Sequence, residues 1–147
     1  MKLKTKFSAL SLSKGFTLIE LLVVIGIIAI LTAVVAVAVN PGRQFAQARD
    51  TQRRADISAV VSAIYQYAAD NNGNLPSVIT ATPTDIGTGA GLVDFSTLLA
   101  PTYVAAIPAD PSTGTAADTN YTIFKEGTRI VASATAETAG ASITIKR

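Results

Sequence analysis

The chain contains no cysteine and no histidine among its 147 residues, and it also lacks tryptophan. Without thiolates or imidazoles, it cannot build the usual zinc sites, a Cys/His nucleophilic pair or a Ser-His-Asp triad. The lack of cysteine excludes a disulfide framework, although it is compatible with an extracytoplasmic location. The ten acidic side chains occur singly along the chain, with no paired carboxylates for acid–base chemistry. We therefore predict that the protein is not an enzyme.

Basic charge is concentrated at the start of the chain. The net charge is +2, but residues 1–15 contain four lysines and no acid, so the other residues carry eight basic and ten acidic side chains. If residues 1–15 are removed, the remaining chain has more acidic than basic groups. The overall basic character is thus no argument for nucleic-acid partners, and we predict no specific nucleic-acid binding.

A long apolar run follows this basic segment. Residues 16–39 are apolar except for Thr17, Glu20, Gly26 and Thr32. As a helix they would be about 36 Å long, enough to cross a hydrocarbon core of about 30 Å. The exception with the greatest cost is Glu20, because an ionisable group inside a membrane span costs about 2.5–3.5 kcal/mol. Glu20 either lies shallow enough to reach the headgroups or has a partner in the membrane.

The arrangement around the start of this run is distinctive. Residues 14–27 read KGFTLIELLVVIGI. A secretory signal has an apolar run of about 7–15 residues and is cut after it, whereas here the run is longer and Gly15 precedes it. The segment resembles the class III signal of type IV pilins and of type II secretion pseudopilins. The resemblance implies cleavage between Gly15 and Phe16, N-methylation of Phe16, and a role in assembly for Glu20, which would pair with the amino terminus of a neighbouring subunit.

The resemblance also implies a function and a location. It suggests a structural subunit of a type IV pilus or type II pseudopilus, held by a single span in the inner membrane with its N-terminus in the cytoplasm, and later part of a periplasmic or extracellular filament. Residues 1–15 would be the cleaved leader and residues 16–40 the transmembrane and filament-core helix. The implied partners are identical or related filament subunits, prepilin peptidase, the inner-membrane assembly platform and, before assembly, membrane lipid. An alternative is a membrane-anchored binding protein with a small β head.

A second helix is predicted over residues 41–72. Asn40-Pro41-Gly42 interrupts the first helix, because proline lacks an N–H and disfavours helical angles in the residue before it. One helical face is apolar, with residues recurring at the helical period: Ile57, Val60, Val61, Ile64 and Ala68. Arg53 lies on the same helical stripe, one turn before Ile57, in a group of arginines and aspartates that we interpret as a solvated or subunit-facing surface. Gly73 and Pro76 mark the helix end.

Residues 73–147 are predicted to form a small extracytoplasmic β head. Three stretches rich in β-branched and aromatic residues predict antiparallel strands at residues 121–125, 128–135 and 142–146. Residues 77–91 read as a loop, and residues 94–99 as a short helix that begins at Asp94. The expected fold class is α+β: a long N-terminal helix, half in the membrane and half amphipathic, with a three-stranded antiparallel sheet packed on its C-terminal half.

One metal site is considered in the head. The segment around Asp110-Pro111 resembles the region before the strands in the major pseudopilin, and in some of those proteins calcium sits in loops near the sheet. Calcium needs six to eight oxygen ligands, and the resemblance makes Asp110 and Asp118 candidates. The alternative is that Asp110-Pro111 is a turn and Asp118 a solvent-facing side chain. We otherwise predict no cofactor.

Overall fold

The computed structural model describes residues 15–138, 140 and 142–147. The chain divides into two compact units between Asn40 and Pro41. The predicted cleavage site, between Gly15 and Phe16, lies at the first two described residues. The rest of the predicted leader, residues 1–14, lies outside the described part.

The first unit contains helix α1, Leu18–Val39. It begins two residues later than the apolar run, because Thr17 is extended and acts as its N-cap. It ends at Asn40, which has a left-handed backbone with φ of 44°. Every residue of α1 is exposed, and α1 is the helix in the described part of the chain with the length and composition to span a membrane.

The second unit begins with helix α2, Pro41–Asp70. Proline suits the first position of a helix, where its missing N–H would have no partner in any case. After Asp70, Asn72 and Gly73 take left-handed angles and the Gly73 N–H donates to the Ala68 carbonyl at 2.7 Å. This ends the helix close to the predicted glycine.

A four-stranded antiparallel sheet packs against α2. Its strands follow one another in chain order: β1 Thr84–Asp85, β2 Tyr121–Glu126, β3 Arg129–Thr135 and β4 Ser142–Lys146. The three predicted strands and the α+β class are confirmed. The predicted count of three strands misses β1, because two residues are too short to show the alternation that marks a strand.

The core lies between the apolar face of α2 and one face of the sheet. All five residues of the predicted stripe are buried. The register places Tyr121 opposite Ala134, and Ala134 opposite Ile143, so these three side chains lie in one row on the buried face. The loops complete the core with four large apolar side chains: Ile79, Ile86, Phe95 and Leu99. Since loops supply part of the core, their positions depend on contacts with α2.

The predicted helix at residues 94–99 is wrong. Asp94 does cap a turn there, since its Oδ1 accepts from the Ser96 N–H at 2.8 Å. The N–H groups of Leu98 and Leu99 both donate to the Phe95 carbonyl, and the segment remains a series of turns. Burial of Phe95 and Leu99 holds these turns in place, which a local cap signal cannot predict.

Candidate functional site

The segment from Gly15 to Glu20 contains the predicted processing and assembly residues. Gly15, Phe16 and Thr17 are not helical, and the Phe16 side chain is 84% exposed. Thr17 and Glu20 form a capping box: the Glu20 N–H donates to Thr17 Oγ1 at 3.2 Å, and the Thr17 N–H donates to Glu20 Oε2 at 3.3 Å. This reciprocal pair satisfies two N–H groups at the helix start. The carboxylate of Glu20 thus lies beside the first turn of α1, three residues after Thr17.

The surface of α1 beyond Glu20 is uniformly apolar. It has no polar face to turn toward water, and all of its residues are exposed. Thr32 satisfies its hydroxyl within the helix by donating to the Ile28 carbonyl at 2.7 Å. A helix that is apolar all round needs an apolar environment all round, which lipid or other apolar helices supply.

A buried arginine organises polar groups in the second unit. Arg53 is 3% exposed and its guanidinium contacts three carboxylates. Its Nε donates to Asp110 Oδ2 at 2.5 Å, its Nη1 to Asp50 Oδ1 at 2.8 Å, and its Nη2 to Glu137 Oε1 at 2.6 Å. Nη2 also donates to Ser112 Oγ at 3.0 Å. Arg53 thereby joins α2 to two loops that are far away in the sequence.

Each carboxylate around Arg53 is held by further donors. Asp50 accepts from the hydroxyl and N–H of Thr138 and from the Glu137 N–H, and these bonds together with Arg53 hold its pKa well below the usual range. The Glu137 carboxylate accepts hydrogen bonds from Arg49, Ser112 and Arg53. These bonds, the one from Arg49 most of all, hold the pKa of Glu137 well below its usual range. Both acids therefore stay ionised at neutral pH, and the loop at residues 137–138 is tied to α2.

A buried acid on α2 lies three residues after Arg53. Asp56 is buried, and its Oδ2 accepts from the Tyr121 hydroxyl at 2.8 Å while its Oδ1 accepts from Gln52 Nε2 at 2.7 Å. Burial and the bond to Asp56 raise the pKa of Tyr121 well above its usual range. The tyrosine consequently remains a proton donor to Asp56 at any physiological pH.

For Arg53 and Asp56, these contacts correct the interpretation of the charged residues on α2 as a solvated or subunit-facing surface. Arg53 and Asp56 are buried and bonded within the head, although Arg54 beside them is exposed. The position of Arg53 on the apolar stripe was the sequence signal for burial. Its partners Asp110 and Glu137 lie 57 and 84 residues away, so no local pattern connects them to it.

The two calcium candidates are not equivalent in the structure. Asp110 is buried; both of its oxygens contact Arg53, and Oδ1 also accepts from the N–H groups of Ser112 and Thr113. Arg53 lowers the pKa of Asp110. Asp118 accepts from the N–H of Asn120 at 3.0 Å. The described residues contain no group of three or more acids able to hold a metal ion, and both the calcium site and its alternative, a turn at Asp110-Pro111, stay predictions.

Comparison with known families gives one finding at the N-terminus. Residues 10–36 match the prokaryotic N-terminal methylation motif, and this range includes Gly15, Phe16 and Glu20. The chain therefore carries a prepilin-type signal followed by an apolar helix able to span a membrane. The signal supports a processed subunit of the type IV pilin or pseudopilin kind, a family whose members are structural subunits. No curated protein and no solved structure matches the chain.

Proposed function

We propose that this protein is a structural subunit of a type IV pilus or type II pseudopilus filament. The observation that carries the proposal is the methylation motif over residues 10–36, continuous with a helix that is exposed and, apart from Glu20 and Thr32, apolar along its length. Before assembly, inner-membrane lipid would cover α1, with the N-terminus in the cytoplasm. After assembly, α1 helices of identical or related subunits would replace the lipid in a periplasmic or extracellular filament.

The first step of the proposed function is removal of the leader. Prepilin peptidase would cut between Gly15 and Phe16, and Phe16 would be N-methylated. The exposed, non-helical backbone of residues 15–17 supports this assignment, because a peptidase needs an accessible bond that is not hydrogen-bonded in a helix. Cleavage there would leave the Thr17–Glu20 capping box on the mature chain.

The second step is assembly through α1. A carboxylate within a membrane is costly unless it is paired, and Glu20 would find a cationic partner in the new amino terminus of a neighbouring subunit. Such a pair would set the axial position of each subunit relative to the next. An inner-membrane assembly platform would move the subunit from lipid into the filament.

The test is the intact mass and N-terminal sequence of the protein from its native membrane. The expected chain begins at Phe16 and is heavier by one methyl group than the unmodified polypeptide. A chain that begins at Met1 in cells with active prepilin peptidase would overturn the proposal and favour a membrane-anchored binding protein.

Two variants separate processing from assembly. Gly15→Leu is expected to keep the leader, because it changes the residue before the cut. Glu20→Gln is expected to be cut normally but not to enter filaments, since the amide cannot form the ion pair. Thr32→Val is the matched control, because it changes another polar residue of α1, one whose hydroxyl donates to the Ile28 carbonyl of the same helix. Normal filaments from Glu20→Gln would refute the role of Glu20.

A further inference from the structure

Lys125 lies on the face of β2 that packs into the core. Alternate residues of a strand share a face, and Ile123 and Tyr121, which precede Lys125 on this face, are both buried. In the neighbouring strand, Lys125 lies opposite Ile130, which is also buried. An apolar side chain is the usual occupant of such a position, yet this one holds a half-buried lysine.

Lys125 has no anionic partner among the described residues. Glu126 follows it on the opposite face of the strand and pairs with Lys146. Asp70, at the end of α2, accepts from the Tyr103 hydroxyl at 3.0 Å. All ten acids of the chain lie in the described part, and the structure shows no ion pair for Lys125 there. Its ammonium has therefore lost part of its hydration without gaining an anion.

Lys125 lines a cavity of about 570 Å³ between the end of α2 and the turn that joins β2 to β3. Small-molecule sites in proteins have volumes of about 300–1,000 Å³, so this cavity is large enough to be one. Tyr65, Ala68 and Leu75 supply apolar wall. Among the described residues that line the cavity, Lys125 is the charged one.

Hydrogen bonds fix two parts of the cavity wall. The Tyr65 hydroxyl donates to the Arg147 carbonyl at 2.5 Å and accepts from the Ile130 N–H at 3.4 Å, so the Tyr65 ring is held between α2 and the sheet. The Gly73 N–H donates to the Ala68 carbonyl and fixes the wall at the end of α2. A wall that is already in place needs little ordering when a ligand binds.

One ammonium beside an apolar wall favours a ligand with one negative charge and an apolar body. An ammonium is a compact charge with three donors, and one carboxylate neutralises it. A phosphate is more often held by an arginine fork or by several backbone N–H groups, and no arginine lines this cavity in the described chain. The lining therefore selects an organic monocarboxylate.

We propose that this cavity, which we name the Lys125 pocket (Tyr65, Ala68, Leu75 and Lys125), binds a small organic monocarboxylate. The carboxylate accepts from the Lys125 ammonium, and the apolar body lies against Tyr65 and Leu75. Charge complementarity carries the proposal, because the bound anion supplies the partner that Lys125 lacks in the described chain. The pocket belongs to the head alone, so this binding goes beyond the filament role and does not depend on it.

A titration of the full chain in detergent with phenylpropionate tests the proposal. Labelling with nitrogen-15 glycine gives ten amide signals, and two of these glycines, Gly73 and Gly127, line the cavity. Both signals are expected to shift, whereas those of Gly91 and Gly140, which lie outside the lining, should stay in place. A ligand of about eleven non-hydrogen atoms should bind in the low millimolar range or more tightly. Its neutral amide should bind at least about tenfold more weakly, because it lacks the charge.

Four variants separate the charge of Lys125 from the shape of the cavity. Lys125→Met places an apolar side chain on the core face and should fold, but it should weaken binding at least about tenfold. Lys146→Met removes an exposed ammonium outside the cavity and should bind like the natural chain. Ala69→Phe fills the cavity from an exposed position and should abolish binding with Lys125 intact. Ala59→Phe, at another exposed position of α2, is its control and should bind normally.

Three results would overturn the proposal. If Gly73 and Gly127 do not shift at concentrations well above the low millimolar range, the cavity binds no such ligand. If Lys125→Met binds as tightly as the natural chain, Lys125 only packs its methylene stem and keeps its ammonium in water. If all ten glycine signals shift together, the ligand acts through the detergent instead of the cavity. Near-ultraviolet circular dichroism checks that each variant is folded.

Leader cleavage and filament formation are measured separately. A chain that is cut and assembles but does not bind phenylpropionate overturns the Lys125 pocket and leaves the proposed function standing. A chain that binds phenylpropionate but keeps residues 1–15 in its native membrane overturns the proposed function and leaves the pocket standing.

Discussion

Replacement of Arg53 by methionine should severely destabilise the head at neutral pH. Methionine has a similar length but no charge, so the buried Asp110 and the half-buried Asp50 would lose their cation. Removing one partner of a buried ion pair costs about 3–5 kcal/mol, because the remaining charge is desolvated without compensation. Asp110 should account for most of this loss of stability, because its side chain is only 7% exposed. Glu137 should contribute little, because its side chain is 30% exposed and water can solvate its charge.

The predicted loss is large relative to the whole stability of the head. A domain of this size has an unfolding free energy of about 5–15 kcal/mol. At about 4 °C or more per kcal/mol, a loss of 3 kcal/mol lowers the melting temperature by at least about 12 °C. Near-ultraviolet circular dichroism of the full chain in detergent measures it, because all four tyrosines lie after Asn40 and report on the second unit alone.

The pH dependence of this loss of stability distinguishes the effect of the missing charge from the effect of altered packing. In the natural protein the pKa values of Asp50, Asp110 and Glu137 are lowered, so the stabilisation they provide is present above their ordinary pKa near 4 and is lost as the pH falls through the lower folded values. In Arg53→Met, protonation of the buried Asp110 would remove its uncompensated charge. The difference in stability should therefore shrink as the pH falls from 7 toward about 4.

Two matched variants complete the test. Arg54→Met removes the same charge from an exposed neighbouring position and should change the unfolding free energy by no more than about 0.5 kcal/mol. Arg53→Lys keeps the charge but loses the planar fork, and should lie between the natural protein and Arg53→Met. If Arg53→Met unfolds within about 1 kcal/mol of the natural protein at pH 7, the reasoning about the buried cation is refuted.

Three further predictions concern other contacts in the head. Tyr121→Phe leaves Asp56 buried with one donor fewer and should lower the unfolding free energy by about 1–3 kcal/mol, measured by urea denaturation. Gly114→Ala should destabilise by about 1–3 kcal/mol in the same assay, because the added Cβ would lie 2.3 Å from the backbone nitrogen of Asp110. Calcium at millimolar concentration should not raise the melting temperature relative to a chelator, because Arg53 already occupies Asp110.

Each of these predictions has a control or a contradicting result. Tyr103→Phe removes a tyrosine bond to the exposed Asp70 and should cost less than Tyr121→Phe. Thr113→Ala changes the exposed neighbour of Gly114 without adding volume, and its stability should stay closer to that of the natural protein. A melting temperature that rises with calcium and falls back in Asp118→Asn would contradict the predicted indifference to calcium.

Local patterns in the sequence determined most of the secondary structure. The apolar run after Gly15 predicted α1, and the stripe from Ile57 to Ala68 identified the face of α2 that the core buries. The period of two in the last part of the chain predicted β2, β3 and β4. These predictions succeeded because helix and strand periodicity depend on residues only a few positions apart.

The tertiary structure alone decided how the charged residues are used. From the sequence, Arg53 was interpreted as part of a solvated or subunit-facing group, yet folding buries it against Asp110 and Glu137. The two-residue strand β1 likewise depends on the fold, because it forms by pairing with β2. Contacts between residues far apart in the sequence depend on packing and desolvation in the folded chain, and helix or strand periodicity does not reveal them.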